Sequence, residues 1–183
     1  MCGISGYIAN QHYEYDLSNA VLAMIHRGPD SNHTKELEFL GKKIGLGHVR
    51  LSILDLDFRS DQPFTIDDGL YTIVYNGEIY NYVSIKEDLI ELGVQFYTTS
   101  DTEVFLQAYK HYGIKCVDKF KGIFSAVIID AKRDEIHLVR DQLGVKPLYY
   151  YKNAQGELFF ASEIKSLFQF KGVKRTISQG NIC

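Results

Sequence analysis

Apolar and polar positions along the chain switch between a period of two and a period near 3.6, and the switches mark its elements. Residues 4–8, Ile-Ser-Gly-Tyr-Ile, predict a short N-terminal strand, with Gly3 and Gly6 leaving room for another backbone or a ligand. Leu17, Val21, Met24 and Ile25 recur at helical spacing behind Asp16, a candidate N-cap. They predict an amphipathic helix running to Arg27, where Gly28 and Pro29 stop it. Strands are expected around residues 36–40 and 44–49, joined by a turn at 41–43. Residues 70–75 are almost wholly apolar, which predicts a strand buried on both faces. It runs into Asn76-Gly77. That pair is the strongest short hairpin signal, yet Glu78-Ile79-Tyr80 continues with no obvious return strand, so both readings stand.

A helix is expected to begin near Ser84, with Glu87 closing a capping box, and to end at Gly93. A second box, Ser100-Asp101-Thr102-Glu103, opens a helix whose Val104, Phe105, Ala108, Tyr109 and Tyr112 form one stripe up to Gly113. Asp101 in that first turn would complement the helix dipole. Two hairpins follow, 123–129 with 136–139 and 148–151 with 158–161, then a short helix at 163–168 and a polar tail. Hairpins with a few helices predict an α+β fold with mostly antiparallel sheets.

Composition narrows the class. At 183 residues and 45% hydrophobic, the chain can bury a full core as one domain, removing roughly 70% of its unfolded surface from water. A net charge of -3 without a dense Lys/Arg cluster argues against a nucleic-acid surface. No run of eighteen apolar residues predicts a membrane span, and the start lacks a signal-peptide pattern, so a cytoplasmic protein is expected. Cys2, Cys116 and Cys183 are odd in number and widely spaced, which predicts no disulfide framework. Cys116 reads as a core residue and Cys183 as part of the tail. No H-x-x-x-H pair or C-x-x-C pair predicts a metal site.

The placement of Cys2 changes the picture. Removal of Met1 would leave it N-terminal, with an α-amine titrating near 7.7 to 8.0 beside a thiol that titrates near 8.5. Nucleophile and base would then be one residue. By position alone an inert, packed cysteine is the favoured reading, since most cysteines pack without reacting. Arg50, Asn76, Gly77 and Asp101 are weak signals singly, but together with Cys2 they complement a free amino acid bearing a side-chain carboxamide. Arg50 offers a planar fork to a carboxylate, Asp101 an anion to an ammonium. Asn76 and the Gly77 backbone N–H offer two donors to an oxyanion.

The segments "MCGISGYI", "HRGPD", "GHVRLSILDL", "QPF", "YNGEIYNY", "SDTEV", "GIFSAVIID", "RDQLGVKPLYYY" and "FFASEIKSL" resemble the glutaminase domain of glutamine-hydrolysing asparagine synthetases, a branch of the class II, N-terminal-nucleophile amidotransferases. The likeness implies an Ntn-hydrolase fold, a four-layer αββα sandwich, over residues 2–170, with 171–183 a tail or inter-domain connection. It implies Cys2 as nucleophile, Asn76 and Gly77 as oxyanion donors, and Arg50 as the glutamine-carboxylate ligand. Leu51, Ser52, Ile53 and Leu54 match the glutamine-binding backbone, and Glu78 and Asp101 the contacts to the substrate amine. L-glutamine is the implied substrate, with no metal and no cofactor for this half-reaction. ATP and Mg are expected only in a synthetase domain, in cis or in trans, whose S-G-G-x-D-S motif is absent from this sequence; residues 140–151 are a candidate face towards it. A homodimer stays open, as does a non-catalytic glutamine-binding or regulatory module. His33 departs from the pattern, standing where the family usually carries glycine.

Overall fold

The strand period of two sorts the side chains of this protein into layers. The computed structural model describes residues 1–10, 15–52, 55 and 57–175; Ile53, Leu54 and Cys183 lie outside the described residues. The first sheet has five strands in the order β2 (Ser31–Phe39), β3 (Lys42–Arg50), β1 (Gly3–Asn10), β9 (Leu158–Ala161) and β8 (Tyr149–Lys152). The second has four, in the order β4 (Phe64–Ile66), β5 (Tyr71–Ile79), β6 (Gly122–Asp130) and β7 (Glu135–Arg140). Every strand pairing is antiparallel.

Ile4, Ile44 and Leu46 of the first sheet meet Val74, Val127 and Ile129 of the second, forming the layer between the sheets. On the outer face of the second sheet, Ile73, Tyr75 and Ile128 pack against α2 (Tyr82–Glu91) and α3 (Asp101–Tyr112) through Ile85, Leu89, Phe105 and Tyr109. Tyr7, Val49 and Phe159 on the outer face of the first sheet pack with Leu17 and Val21 of α1 (Leu17–Leu22), Leu167 of α4 (Ile164–Leu167) and Phe170. Three apolar interfaces separate four layers, the expected αββα sandwich. No described helix is long and apolar enough to cross a membrane.

Most expected elements are present, with differences that have physical causes. Asp16 caps α1 through its carboxylate and the Asn19 N–H (2.9 Å), but the helix stops at Leu22 and a 3-10 turn, Ile25–Arg27, replaces its last part. The tighter turn brings Gly28 against the Arg50 backbone, where a Cβ would lie 2.5 Å from the Arg50 carbonyl carbon. β2 begins at Ser31, earlier than expected; it is an edge strand, so its polar start carries no apolar alternation. The expected 41–43 turn falls at Leu40 and Gly41, both with positive φ. α2 begins at Tyr82 rather than near Ser84, and its N-cap Asn81 makes no side-chain cap bond. Instead the Asn81 amide bridges to Lys119 O and Lys121 N. In α3, Ser100 accepts from Thr102 N as a cap, while Glu103 turns to the N–H groups of Tyr97 and Thr98, holding the preceding loop instead of closing the box. Cys116 is buried, and burial pushes its thiol up to about 12. Tyr149 and Tyr150 are both exposed on the edge strand β8, so the tyrosine run does not alternate between buried and exposed faces.

The loop after β7 is built on one carboxylate. Asp141 accepts N–H bonds from Leu143 and Val145 on Oδ1, and from Phe124 and Lys146 on Oδ2, at 3.0 to 3.2 Å. Burial pushes its carboxyl up, but those backbone bonds outweigh burial and hold it below the usual carboxylate range. The contribution is therefore fully present above the ordinary value of about 3.9 and is lost as pH falls through the lowered one. Asp141→Asn is expected to cost about 2–4 kcal/mol at pH 7. In urea denaturation the gap between variant and parent should narrow below about pH 4; a gap that stays constant down to pH 2 would contradict the assignment.

Candidate active site

The inter-sheet face that carries Ile4, Ile44, Leu46 and Val74 in the core continues, two residues at a time, to Cys2, His48, Arg50 and Asn76. There the apolar layer gives way to a cleft of about 630 Å³ including its open mouth. It is lined by Cys2, His48, Arg50, Leu51, Asn76 and Gly77, with Glu78, Asp101 and Lys146 among the charged groups around them. Seven expected site residues, Cys2, Arg50, Leu51, Asn76, Gly77, Glu78 and Asp101, thus share one cleft. Ser52 is not among its lining; its N–H is bonded to Asp30 (2.7 Å), which ties the end of β3 to the turn before β2.

Pairing of β1 with β3, with Gly3 opposite Val49, brings Cys2 to the level of Arg50. The Cys2 thiol lies over the next peptide: Leu51 N–H donates to Sγ at 3.4 Å, and Leu51 O lies 3.6 Å from Sγ. Arg27 steadies the same segment, its Nε donating to Cys2 O (2.9 Å) while its carbonyl accepts from the Met1 ammonium (2.9 Å). Glu163 pairs with Arg27 and with His26.

Asn76-Gly77 is strand, not turn. Asn76 pairs with Ser125 and Gly77 with Phe124 in the β5–β6 ladder, and neither has positive φ. Pairing along the full length of β6 outweighs the local turn preference. The consequence for Gly77 is geometric. Phe124 exchanges both of its backbone bonds with Asp141, on the side away from β5. Gly77 and Phe124 therefore form a non-hydrogen-bonded pair, and the Gly77 N–H points off the opposite edge of β5. On that edge Tyr75 N–H donates to Gln62 Oε1 and Ile79 N–H to Asp101 Oδ2 (3.0 Å). Gly77 N–H lies between them, where β4 has already ended, and opens on the cleft. The buried Asn76 amide reaches across the sandwich, Nδ2 lying 3.5 Å from Ser162 Oγ, and its Oδ1 has no partner.

Charges around the cleft are arranged unevenly. Arg50 donates to Asp61 (2.6 Å), to the Asp57 carbonyl (3.0 Å) and to the Asp55 carbonyl. Asp61 also accepts from Ser31 Oγ (3.0 Å) and lies 2.9 Å from His33 Nε2. Burial pushes the Asp61 carboxyl up, but the bonds from Arg50, Ser31 and His33 hold it below the usual range. His33, the departure from the family pattern, thus supports the carboxylate that faces Arg50. Asp101 behaves oppositely: burial raises its carboxyl above the usual range, against the bonds from Tyr75 OH (2.7 Å) and Ile79 N–H. His48 is almost fully buried; burial lowers it to about 3, and its Nε2 has no partner. Among the described residues no cluster of three or more His, Cys, Asp or Glu could hold a metal.

A family model described as a glutamine amidotransferase domain matches residues 1–182. The chain belongs to this family. It is 41% identical over 174 residues to asparagine synthetase [glutamine-hydrolyzing] 2 of Bacillus subtilis (strain 168), covering 92% of this chain and 22% of that protein. It is 38% identical to asparagine synthetase [glutamine-hydrolyzing] 1 of the same strain, covering 91% and 26%. Amidase chyE of Penicillium rubens is 37% identical, covering 93% and 26%. The chain thus spans about a quarter of the length of these relatives. In structure it is similar to the glutamine phosphoribosylpyrophosphate amidotransferase of B. subtilis (TM-score 0.73, 21% identity, 91% of this chain and 43% of that one), a likeness of fold.

Several residues in or beside the cleft of this amidotransferase domain have no role that the sequence assigns. Gln62, in the "QPF" segment, accepts from Tyr75 N–H and donates to Thr102 Oγ1 (3.2 Å), a role that shows only once β5 is placed beside it. Arg27 and Lys146 lie in the "HRGPD" and "RDQLGVKPLYYY" segments, which mark them for attention without assigning a role. Gly77 has a testable constraint: a Cβ there would lie 2.5 Å from both Ile123 O and Phe124 Cβ. Gly77→Ala is expected to lower unfolding free energy by about 1–3 kcal/mol in denaturant titration. Stability equal to the parent would mean that β5 and β6 are not held this closely.

Proposed function

We propose that this domain hydrolyses L-glutamine to glutamate and ammonia through Cys2, once Met1 has been removed. The observation that carries the reading is the convergence on one cleft of the Cys2 thiol, the Asn76 amide and the outward-pointing Gly77 N–H, with Arg50 and Asp101 beside them. The thiol proton passes to the α-amine of Cys2, and Sγ attacks the carboxamide carbon. The resulting oxyanion is stabilised by Asn76 and Gly77. Collapse breaks the C–N bond; ammonia leaves with a proton returned by the amine, and a γ-glutamyl thioester remains on Cys2. Water, deprotonated by the same amine, then cleaves it to glutamate.

The substrate α-carboxylate takes the Arg50 fork in competition with Asp61, and its ammonium is met by Asp101 and Glu78. Glu78 is half-buried and its carboxylate has no hydrogen bond or ion pair among the described residues, which suits it to an incoming cation. This half-reaction uses no metal and no cofactor. The ammonia passes to a carboxylate activated with ATP and Mg in a synthetase domain, in cis or in trans. Asparagine synthesis is the reading favoured by the synthetase relatives, though the amidase among them leaves the acceptor to chemistry outside this domain.

With Met1 in place the Cys2 nitrogen is an amide and cannot act as base, so that form would bind glutamine without hydrolysing it. Intact mass separates the two forms. In the des-Met1 protein, Cys2→Ala is expected to abolish ammonia release with an unchanged melting temperature; retained turnover would sink the mechanism. Arg50→Ala is expected to raise KM for glutamine by about 10- to 100-fold, the loss of a charge-assisted clamp. Alkylation of Cys2 by iodoacetamide should change far less. Equal changes in the two readouts would make Arg50 a structural residue only.

A further inference from the structure

Lys146 is a buried cation that the chemistry above does not use. It is 9% exposed, lines the cleft, and among the described residues has no carboxylate within ion-pair distance. Among the described residues its ammonium contacts the thioether of Met1, Nζ to Sδ at 3.4 Å. Its position is imposed by the backbone: Lys146 N–H donates to Asp141 and its carbonyl accepts from Arg140 Nε (2.8 Å), so the loop delivers the side chain in one direction. An ammonium taken this far from water without a counter-ion is costly to keep, and the loop that holds it there is tied by four N–H bonds to the Asp141 carboxylate. The thioether it touches belongs to the residue whose removal the proposed chemistry requires.

We infer that Lys146 is a positioning residue that tunes Cys2: once Met1 is gone, its ammonium faces the new N-terminus and favours the unprotonated amine and the thiolate. This rests on the glutaminase reading for its purpose, but its electrostatics do not depend on turnover. The reach follows from covalent geometry. From Sδ to the Cys2 nitrogen is five bonds, so Nζ and that nitrogen are no more than about 10 Å apart. Like charges at that distance, in a partly desolvated cleft, disfavour protonation of the amine to an ammonium. The other charged and titratable groups near Cys2 are largely compensated. Arg27 is paired with Glu163, and Arg50 with Asp61. Asp101 is bonded to Tyr75, and buried His48 is neutral, lowered to about 3. Glu78 favours the protonated amine, and Lys146 is the cation placed to oppose it.

The test compares des-Met1 protein, confirmed by intact mass, with its Lys146→Met, Lys146→Gln and Lys146→Arg variants. The rate of Cys2 carbamidomethylation by iodoacetamide is followed from pH 5 to 10 on the N-terminal peptide by mass spectrometry, alongside kcat/KM for glutamine. Both neutral variants are expected to move the midpoint of both profiles up by about 0.5–1 pH unit, with alkylation at pH 7 slowed roughly 3- to 10-fold. Lys146→Arg should overlay the parent. Two neutral variants guard against one failing to fold, which thermal unfolding detects. Midpoints unchanged in the folded neutral variants, or an arginine variant shifted as far as they are, would overturn the inference. Should the parent alkylate at Cys2 yet release no ammonia, the glutaminase reading fails while the alkylation profile still decides the role of Lys146.

Discussion

The register between β1 and β3 is the constraint on which the rest of the site depends. It sets Gly3 against Val49, so that one step further the nucleophile candidate and the arginine lie at the same level of the sheet. Because side chains alternate with a period of two, the face that is apolar at Ile4, Ile44 and Leu46 becomes polar at Cys2, His48 and Arg50. A slip by one residue would turn all of these out of the layer between the sheets. The core and the cleft are therefore one surface, dry in the middle and open at its end. The same interface that stabilises the fold also holds the candidate site residues.

The second sheet contributes what the first cannot. Its pairing places Gly77 N–H on an edge that β4 leaves uncovered, between two N–H groups already taken by Gln62 and Asp101. A backbone donor fixed in a ladder needs no reorganisation when charge develops nearby, which is the condition for effective oxyanion stabilisation. Around it, carboxylates hold loops more than they hold partners across the surface. Glu103 organises residues 97 and 98, Asp141 the loop to Lys146, and Asp61 the end of β3. Each has its charge met by donors, as buried carboxylates must.

Part of this was legible in the sequence because it depends on local chemistry. The apolar run at 70–75, the Ser100 cap with the stripe from Val104 to Tyr112, and the Asp16 cap each follow from backbone needs satisfied within a few residues. What the sequence left open or missed is what neighbours decide. Asn76-Gly77 signals a turn, yet β6 extends the strand through it. Residues 31–35 show no alternation because they lie on an edge. The expected Glu87 box is not made, since Asn81 ties the start of α2 to residues 119 and 121.

By itself the sequence determined the α+β class, the family likeness and the identity of the chemical groups, since nucleophilicity, charge and donor count belong to residue types. It also placed Cys2 where removal of Met1 would free its α-amine. Only the tertiary structure decided that these groups meet: that Arg50 already faces a carboxylate supported by His33, that the Gly77 N–H points outward, and that Lys146 lies against Met1. Those facts rest on pairing between strands far apart in the chain. Residue order alone does not set such distances, because the free energy that selects the pairing comes from the three apolar interfaces as a whole.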